Sequence, residues 1–256
     1  MELNRIGIYI ICYNEEKMIR NTLESVKWAD EIIVVDSGSK DRTVEICKEY
    51  TEKIYVKEFQ GFGKQKNYAR SLVTKEWAFN LDADEVISQG LLIEISKLET
   101  TEQIKGYYIP RKNYYLGKAI NRCGWYPDYK LRLHRTANGS WQDVAVHESY
   151  IIENGISYLK NPILHYTYDN IQQHIEKMKM YAEYGSILIL ESNRRVKSYH
   201  LLIFPLITFL KKYIIQLGIM EGYRGILISY IESYYSLLKY AFAYIKGKND
   251  NREREE

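Results

Sequence analysis

The first 85 residues alternate between short apolar segments and segments with helical spacing, and this alternation constrains the fold more than any other feature. The apolar segments are rich in β-branched and aromatic residues, which is typical of buried strands. They cover residues 6–12, 31–36, 53–57 and 77–82, and the helical segments lie between them. The order β-α-β-α-β-α-β predicts an open, mostly parallel sheet with helices on both faces.

Polar residues follow each predicted strand at its carboxyl end. They occupy residues 13–15, 36–39, 61–67 and 82–85. Ligands of open α/β sheets bind beyond the carboxyl ends of the strands. We therefore expect these four segments to meet in one crevice.

The last of these segments is an acid cluster, in which Asp82 and Asp84 are separated by Ala83. On an extended backbone the two carboxylates point the same way and Ala83 faces opposite. Two converging carboxylates form a site for Mg²⁺ or Mn²⁺, and such an ion keeps open positions for phosphate oxygens. Solvated turns carry the same three-residue pattern, so the pattern alone does not separate a metal site from a turn.

The loop after the first strand excludes two common nucleotide sites. A dinucleotide-binding Rossmann protein carries G-x-G-x-x-G there, whereas residues 12–16 read CYNEE and contain no glycine. A P-loop is also absent. A nucleotide would therefore have to be held in another way. One route is base and ribose contacts at the ends of the first two strands, with the diphosphate on a metal.

Net charge and cysteine content limit the partners and the cellular compartment that fit this chain. The net charge of +3 gives no case for nucleic acid as a partner. Cys12, Cys47 and Cys123 form no C-x-x-C pair, which argues against a disulfide framework or structural zinc and fits a reducing compartment. The N-terminus enters the first strand without a signal-peptide pattern, so we expect a cytoplasmic protein.

Three of these segments resemble the signatures of family 2 glycosyltransferases, which have the GT-A fold. They are residues 11–15 (ICYNE), 34–41 (VVDSGSKD) and 81–84 (LDAD). Further stretches resemble a narrower branch, the lipopolysaccharide-core glucosyltransferases of the WaaE/KdtX type; they are residues 61–67, 124–129, 132–133 and 146–148. The resemblance covers nearly the whole chain. It implies an inverting, metal-dependent transfer of a hexose, most often from a UDP-sugar, to a saccharide acceptor in lipopolysaccharide-core or other cell-surface glycan synthesis.

The resemblance also implies roles by position on the donor side. Asp36 would hold the base through its ring N–H, and Tyr13 and Glu15 would line the base and ribose pocket. The full set of expected donor residues is Tyr13, Asn14, Glu15, Asp36, Ser37, Lys64, Lys66, Asn67, Asp82, Ala83 and Arg132. Asp84 would ligate the metal directly, Asp82 would contact the ribose or reach the metal through water, and His165 is a further metal candidate.

Several of these residues have a second interpretation. Asp36 could cap a helix, and Asn14 is an expected N-cap of the first helix. Lys64 and Lys66 either reach a phosphate or are ordinary surface lysines. Asn67 could instead fix its loop to the strand that bears Asp36.

Residues 86–166 are expected to form the acceptor half, with a helix at 88–98 followed by antiparallel or mixed strands. Trp125, Tyr126 and Asp128 lie in a rigid aromatic loop that is either a platform for a sugar face or a packed turn. Inverting transfer needs a general base to take the proton of the acceptor hydroxyl. Glu148 matches the family position best, with Asp143 as the alternative. His147 could be a base, a metal ligand or a packing residue.

The C-terminal region, residues 167–246, is predicted to be helical, with a disordered charged tail at 247–256. A helix at 169–194 should turn Ile171, Ile175, Tyr181, Met178 and Ala182 inward. The helix at 223–246 is apolar over most of its circumference, so it either packs against protein or lies at a membrane surface. A lipid-linked acceptor on the inner face of the cytoplasmic membrane would make such attachment useful.

Two other functions fit a similar half-sheet. A sugar-1-phosphate nucleotidyltransferase would need a glycine-rich, basic first loop, which this chain lacks. A non-catalytic nucleotide- or sugar-binding module would need no base and would be indifferent to Glu148.

Overall fold

The computed structural model describes residues 1–99, 101–143, 148–192 and 196–252, without the side chains of 249–252. The chain forms two units. The first contains residues 1–112 and 127–166, and the second contains residues 113–126 and the chain from 167 onward. Residues 113–126, expected in the acceptor half, therefore belong with the helical region.

The nucleotide half of the first unit has the predicted alternating order. Its elements are β1 (Ile6–Cys12), α1 (Ile19–Val26), β2 (Glu31–Asp36), α2 (Thr43–Cys47), β3 (Ile54–Val56), α3 (Phe62–Ser71) and β4 (Trp77–Asp82). The four strands are parallel and lie in the order β3-β2-β1-β4. Ile10, Val34 and Leu81 are paired across three of these strands and are fully buried. Each such side chain stabilises the fold by roughly 1.5–3 kcal/mol.

The following strands turn the parallel sheet into a mixed one. They are β5 (Glu85–Ile87), β6 (Gly106–Tyr115), β7 (Lys118–Ala119), β8 (Asp128–Arg135), β9 (Ser140–Trp141), β10 (Tyr150–Ile151), β11 (Ile156–Tyr158) and β12 (Ile163–Tyr168), with α4 (Gln89–Ser96) after β5. β8 runs antiparallel to both β4 and β6, and β12 runs antiparallel to β5. These pairings place Arg132 beside the strand that bears Asp82, and His165 opposite Glu85. As expected, Ser88 caps α4 by accepting a hydrogen bond from the Leu91 N–H.

The start of α1 differs from the prediction. Asn14 does not cap this helix, because α1 begins at Ile19 and its N-cap residue, Met18, makes no side-chain cap bond. Asn14 instead adopts a left-handed conformation (φ 54°), and its Oδ1 accepts a hydrogen bond from the Lys40 N–H at 2.8 Å. The Glu15 N–H also donates to Thr43 Oγ1 at 2.7 Å. The loops after β1 and β2 are thus tied together, and this tertiary bonding takes the place of the cap.

The second unit is mainly helical. It contains α5 (Ile171–Glu191), α6 (His200–Leu210), a π-helical segment (Lys211–Ile215), a 3₁₀ turn (Gly218–Glu221) and α7 (Tyr223–Arg252). The predicted inner face of α5 is partly wrong: Met178 and Ala182 are buried, but Ile171 and Ile175 are exposed. Helix α7 continues past Lys246, its expected end, to Arg252. Within the described ranges, each helix is too short or too polar to cross a lipid bilayer.

Candidate active site

The carboxyl ends of β2, β1 and β4 bring Asp36 and Asp82 to the same edge of the sheet. Asp36 is paired with Cys12 on one side of β1, and Asp82 is paired with Ile11 on the other. Neighbouring strands lie about 4.8 Å apart, so the two acids flank the end of β1. Three of the predicted strand-end segments therefore meet at one edge, as the topology requires.

Lys66 joins Asp82 to Glu148. Its ammonium lies 3.0 Å from Asp82 Oδ1 and 2.8 Å from Glu148 Oε1, although the two acids are far apart in sequence. The ammonium also lies 4.6 Å from the centre of the Trp141 ring, a favourable cation–π arrangement. Only 5% of the Lys66 side chain is exposed. Lys66 is therefore a buried counter-ion rather than a surface lysine.

Arg132 holds the other side of Asp82. Its NH2 group lies 2.6 Å from Asp82 Oδ2 and 2.6 Å from Glu85 Oε1, and its NH1 group donates to Asn80 Oδ1. Arg111 then connects Glu85, at 3.5 Å, to Asp128, at 2.7 Å. Positive and negative side chains thus alternate from Glu148 to Asp128. We call Glu148, Lys66, Asp82, Arg132, Glu85, Arg111 and Asp128 the ionic chain.

The ionic chain keeps Asp82 charged. Burial by itself raises the pKa of this carboxyl, but the charges of Arg132 and Lys66 outweigh burial and hold the pKa well below its ordinary value. Burial likewise lowers the pKa of Arg132, and the opposing charges of Asp82 and Glu85 reverse the effect and raise it. Both Asp82 oxygens are occupied by cations, so this residue is not placed as a direct metal ligand.

Asp84 faces a different partner. Its Oδ2 lies 3.1 Å from His165 Nε2, and its backbone carbonyl accepts a hydrogen bond from the Tyr166 N–H at 3.1 Å. A carboxylate and an imidazole suit a divalent ion such as Mn²⁺, and Mg²⁺ is commonly held by one or two carboxylates, with substrate phosphates and water completing its shell. No group of three or more His, Cys, Asp or Glu side chains within the described part of the chain could hold an ion by itself. The donor set therefore fits an ion shared with a phosphate ligand, not a closed protein cage.

The expected base pocket is shaped by Asp36. Its Oδ2 accepts hydrogen bonds from the Gly38 N–H at 2.9 Å and the Ser39 N–H at 2.8 Å, and Gly38 has a positive φ of 90°. The buried carboxylate thus fixes the 37–39 loop. Its Oδ1 accepts from Ser39 Oγ at 2.5 Å and from Cys12 Sγ at 3.6 Å, so a further N–H would have to replace the weak thiol bond. Ser37 Oγ accepts from Gln65 Nε2 at 3.1 Å, and Tyr13 is half-exposed beside this edge.

Residues 7–101 match the family described as Glycosyl transferase family 2. The chain is a glycosyltransferase with a family 2 domain. An uncharacterised glycosyltransferase of Rickettsia prowazekii (strain Madrid E) is 29% identical over 252 residues, which cover 93% of this chain and 86% of that protein. The lipopolysaccharide core biosynthesis glycosyltransferase LpsC of Rhizobium meliloti (strain 1021) is 28% identical over 216 residues, covering 81% and 80%.

The fold comparison agrees with the family. The crystal structure of S. aureus TarS 1–349 in complex with UDP is similar with a TM-score of 0.50 and 18% identity, over 96% of this chain and 92% of that chain. The predicted GT-A fold is therefore confirmed, as is a family 2 glycosyltransferase domain over residues 7–101. The narrower WaaE/KdtX-type branch stays a prediction.

Three predicted site residues of this glycosyltransferase either contact other partners than expected or fall outside the residues that the structure describes. Asn67 does not bind the strand of Asp36; its side chain exchanges hydrogen bonds with the backbone of Trp141 in β9, at 2.8 and 2.9 Å. Asp143 is exposed and lies 3.6 Å from the exposed Lys64, so neither joins the ionic chain. His147 lies outside the described residues.

The expected acceptor residues are divided between the two units. Asp128 belongs to the first unit and pairs with Arg111 and with Lys130, the latter at 3.1 Å. Trp125 and Tyr126 belong to the second unit. There the Trp125 ring packs edge-on against Tyr115, with ring centres 5.6 Å apart. These contacts are those of a packed turn, and a sugar platform stays a prediction.

Sequence reasoning missed two members of the ionic chain. Glu85 is fully buried between Arg132 and Arg111, and in the sequence it directly follows Asp84 as a third acid. Its signal was the cost of placing three acids together, which demands nearby cations. The sequence does not identify Arg111 as a member of the ionic chain, because nothing in its aromatic strand indicates which strand pairs with it.

Proposed function

We propose that this glycosyltransferase transfers a hexose, with inversion, from a nucleoside-diphosphate sugar to a saccharide of a lipopolysaccharide core or another cell-surface glycan. The relationship to LpsC supports the acceptor class. The ionic chain is the observation that supports this mechanism. It connects Glu148, the candidate base, to the edge of the sheet where the donor would bind, and it pairs the cations at that edge with carboxylates. A lipid-linked acceptor would bring the enzyme to the inner face of the cytoplasmic membrane.

The charge balance at the strand ends supports metal dependence. Lys66, Arg132 and Arg111 each contact two carboxylates. These cations are therefore committed to acids and supply little charge for a diphosphate. Asp84 and His165 would hold the divalent ion, with Asp82 acting beside them towards the ribose. The ion, when bound, neutralises the charge that develops on the leaving nucleoside diphosphate.

The base of the donor would sit on Asp36. A carboxylate that accepts from the ring N–H of uracil distinguishes it from cytosine, which lacks that proton in its neutral form. Tyr13 would cover the ring, and Asn14 and Glu15 would position the loop beneath it. The donor is therefore expected to be a UDP-sugar, probed first with UDP-glucose.

Glu148 would act as the general base. It takes the proton of the acceptor hydroxyl while the hydroxyl oxygen forms a bond to the anomeric carbon. The bond from that carbon to the diphosphate oxygen breaks, and its electron pair leaves with the nucleoside diphosphate. Attack opposite to the leaving group inverts the anomeric centre. Lys66 would hold the Glu148 carboxylate in place through the 2.8 Å ion pair.

The test is a donor screen that measures release of nucleoside diphosphate in the presence of Mn²⁺ or Mg²⁺, with a chelated sample as the control. We expect release of UDP from a UDP-sugar, and loss of release in the chelator. Release of pyrophosphate from UTP and a sugar 1-phosphate would instead identify a nucleotidyltransferase. UDP binding without turnover of any donor, with any saccharide acceptor, would identify a binding module.

A further inference from the structure

Helix α6 and the π-helical segment after it carry an exposed apolar face. The residues recur with a spacing of four, which places them on one side of the helix. We call this set the apolar face; it comprises Leu202, Ile203, Leu206, Ile207, Leu210, Ile214 and Ile215. Leu202 is 78% exposed and Ile215 is 75% exposed. Contiguous apolar patches of more than a few hundred Å² are uncommon on monomeric proteins and mark interaction surfaces.

The opposite side of the same helix is packed, which fixes the direction of the apolar face. Phe204 stacks on Tyr240 of α7 with ring centres 4.4 Å apart, and Phe209 contacts Tyr230 at 4.7 Å. The carbonyl of Pro205 accepts a hydrogen bond from Ser233 Oγ of α7 at 2.8 Å. The apolar face therefore cannot rotate inward without loss of these contacts.

The charges around the apolar face select its partner. Residues 196–220 contain no Asp or Glu, although the whole chain contains 33 acids and 36 bases. Lys197 and Lys211 are exposed, while Lys212 lies 3.5 Å from Glu232. Tyr199 and Tyr223 are exposed beyond the two ends of the helix and π segment. Leucine and isoleucine rimmed by lysine and tyrosine are typical of helices that lie in the headgroup region of an anionic bilayer.

A second copy of the chain is a poorer fit. A symmetric dimer through this face would bring the same exposed lysines towards each other, with no acid in residues 196–220 to oppose them. Anionic lipid phosphates would attract each nearby lysine by about 1 kcal/mol, which is about a fivefold change in affinity. The helix of residues 200–210 is far too short to span a core of about 30 Å, so it would lie along the surface.

We propose that the apolar face seats the second unit on anionic phospholipid, with its aliphatic side chains among the acyl chains and Lys197 and Lys211 at the phosphates. This surface does not depend on the donor chemistry proposed above. Vesicle binding and donor turnover can therefore fail separately. A variant that loses vesicle binding should still release nucleoside diphosphate when given a water-soluble acceptor.

The test is sedimentation of the full chain with vesicles of phosphatidylethanolamine and phosphatidylglycerol, compared with phosphatidylcholine alone. We expect binding to the anionic vesicles, and a loss of about 10²-fold or more in the double variant Leu202→Glu/Leu206→Glu, since two large side chains leave the acyl region. Val56→Glu is the matched control, because Val56 is 72% exposed on β3 in the first unit. It should bind as the wild type does. Lys211→Glu should weaken binding to anionic vesicles by about tenfold, and only at low salt.

Equal sedimentation of the double variant and the wild type would overturn the proposal, as would absence of wild-type binding. Sedimentation velocity without lipid tests whether a second copy of the chain covers the apolar face instead. A concentration-dependent dimer that the double variant abolishes, together with no vesicle binding, would assign the face to self-association. If circular dichroism shows that the double variant does not fold, Lys211→Glu still tests the proposal. Vesicle binding that is unchanged by this substitution and by salt would contradict binding to an anionic surface.

Discussion

Replacing Lys66 with Met tests whether the ionic chain is a structural and electrostatic unit. The substitution keeps a long side chain over Trp141 and removes the ammonium between Asp82 and Glu148. Removing one partner of a buried ion pair usually costs ~3–5 kcal/mol. Asp82 retains Arg132, and about a quarter of its side chain is exposed, so we expect a loss of about 2–3 kcal/mol in the free energy of unfolding.

The pH dependence of this loss follows from Asp82. Its folded pKa is depressed, so its contribution to stability is fully present above the unfolded value of about 3.9 and is lost as the pH falls through the folded value. Without Lys66 the depression is smaller, and part of that contribution is missing at neutral pH. The difference between wild type and Lys66→Met should therefore be constant from pH 7 to about pH 5 and shrink below about pH 4.

The assay is urea unfolding followed by circular dichroism at pH 7, 5 and 3.5. Lys64→Met is the matched control, two positions away in the same helix, since Lys64 and Asp143 form an exposed pair worth at most ~1 kcal/mol. Equal midpoints for the two variants at pH 7 would refute the reasoning. A difference that persists undiminished in acid would show that packing, not charge, is lost.

Two further predictions address the chemistry. Glu148→Gln should lower sugar transfer by about 10²-fold or more with unchanged affinity for UDP, whereas Asp143→Asn should retain most activity; the reverse order, measured by release of nucleoside diphosphate, would move the base to Asp143. Asp84→Asn should abolish the enhancement of UDP binding by Mn²⁺ in isothermal titration without changing the free energy of unfolding by more than about 1 kcal/mol, because Asp84 lies at a partly exposed edge. Metal-dependent binding that survives this change would place the ion elsewhere.

Local pattern was enough to predict the parallel half of the sheet. Strands β1, β2 and β4 are buried on both faces, so their sequences read as continuous apolar runs, and right-handed crossovers leave few ways to order them. The position of Asp82 at the end of β4 follows directly from that reading. What sequence pattern left open was the partner of each acid, because this depends on antiparallel pairing between β4, β8 and β6.

Two of the wrong local predictions have the same kind of cause. Asn14 has the residue type of an N-cap, but its side chain gains a bond to the Lys40 backbone in the neighbouring loop. Ile171 and Ile175 have the spacing of an inner helix face, but α5 turns His174 and Met178 inward instead. In both cases a contact across the fold outweighs a local preference of about 1 kcal/mol.

The ionic chain changes how the Asp-Ala-Asp pattern should be understood in this protein. Asp82 and Asp84 are two residues apart, yet their carboxylates have different partners: Lys66 and Arg132 for the first, His165 for the second. A residue whose charge is already balanced by two buried cations can position a neutral ribose without repelling it, whereas the carboxylate beside an imidazole is suited to an ion. The same Lys66 that balances Asp82 also touches Glu148, so a donor that perturbs Asp82 would act on the proposed base through a single side chain. Loss of Lys66 should therefore affect both donor affinity and transfer rate, while loss of Glu148 should affect the rate alone.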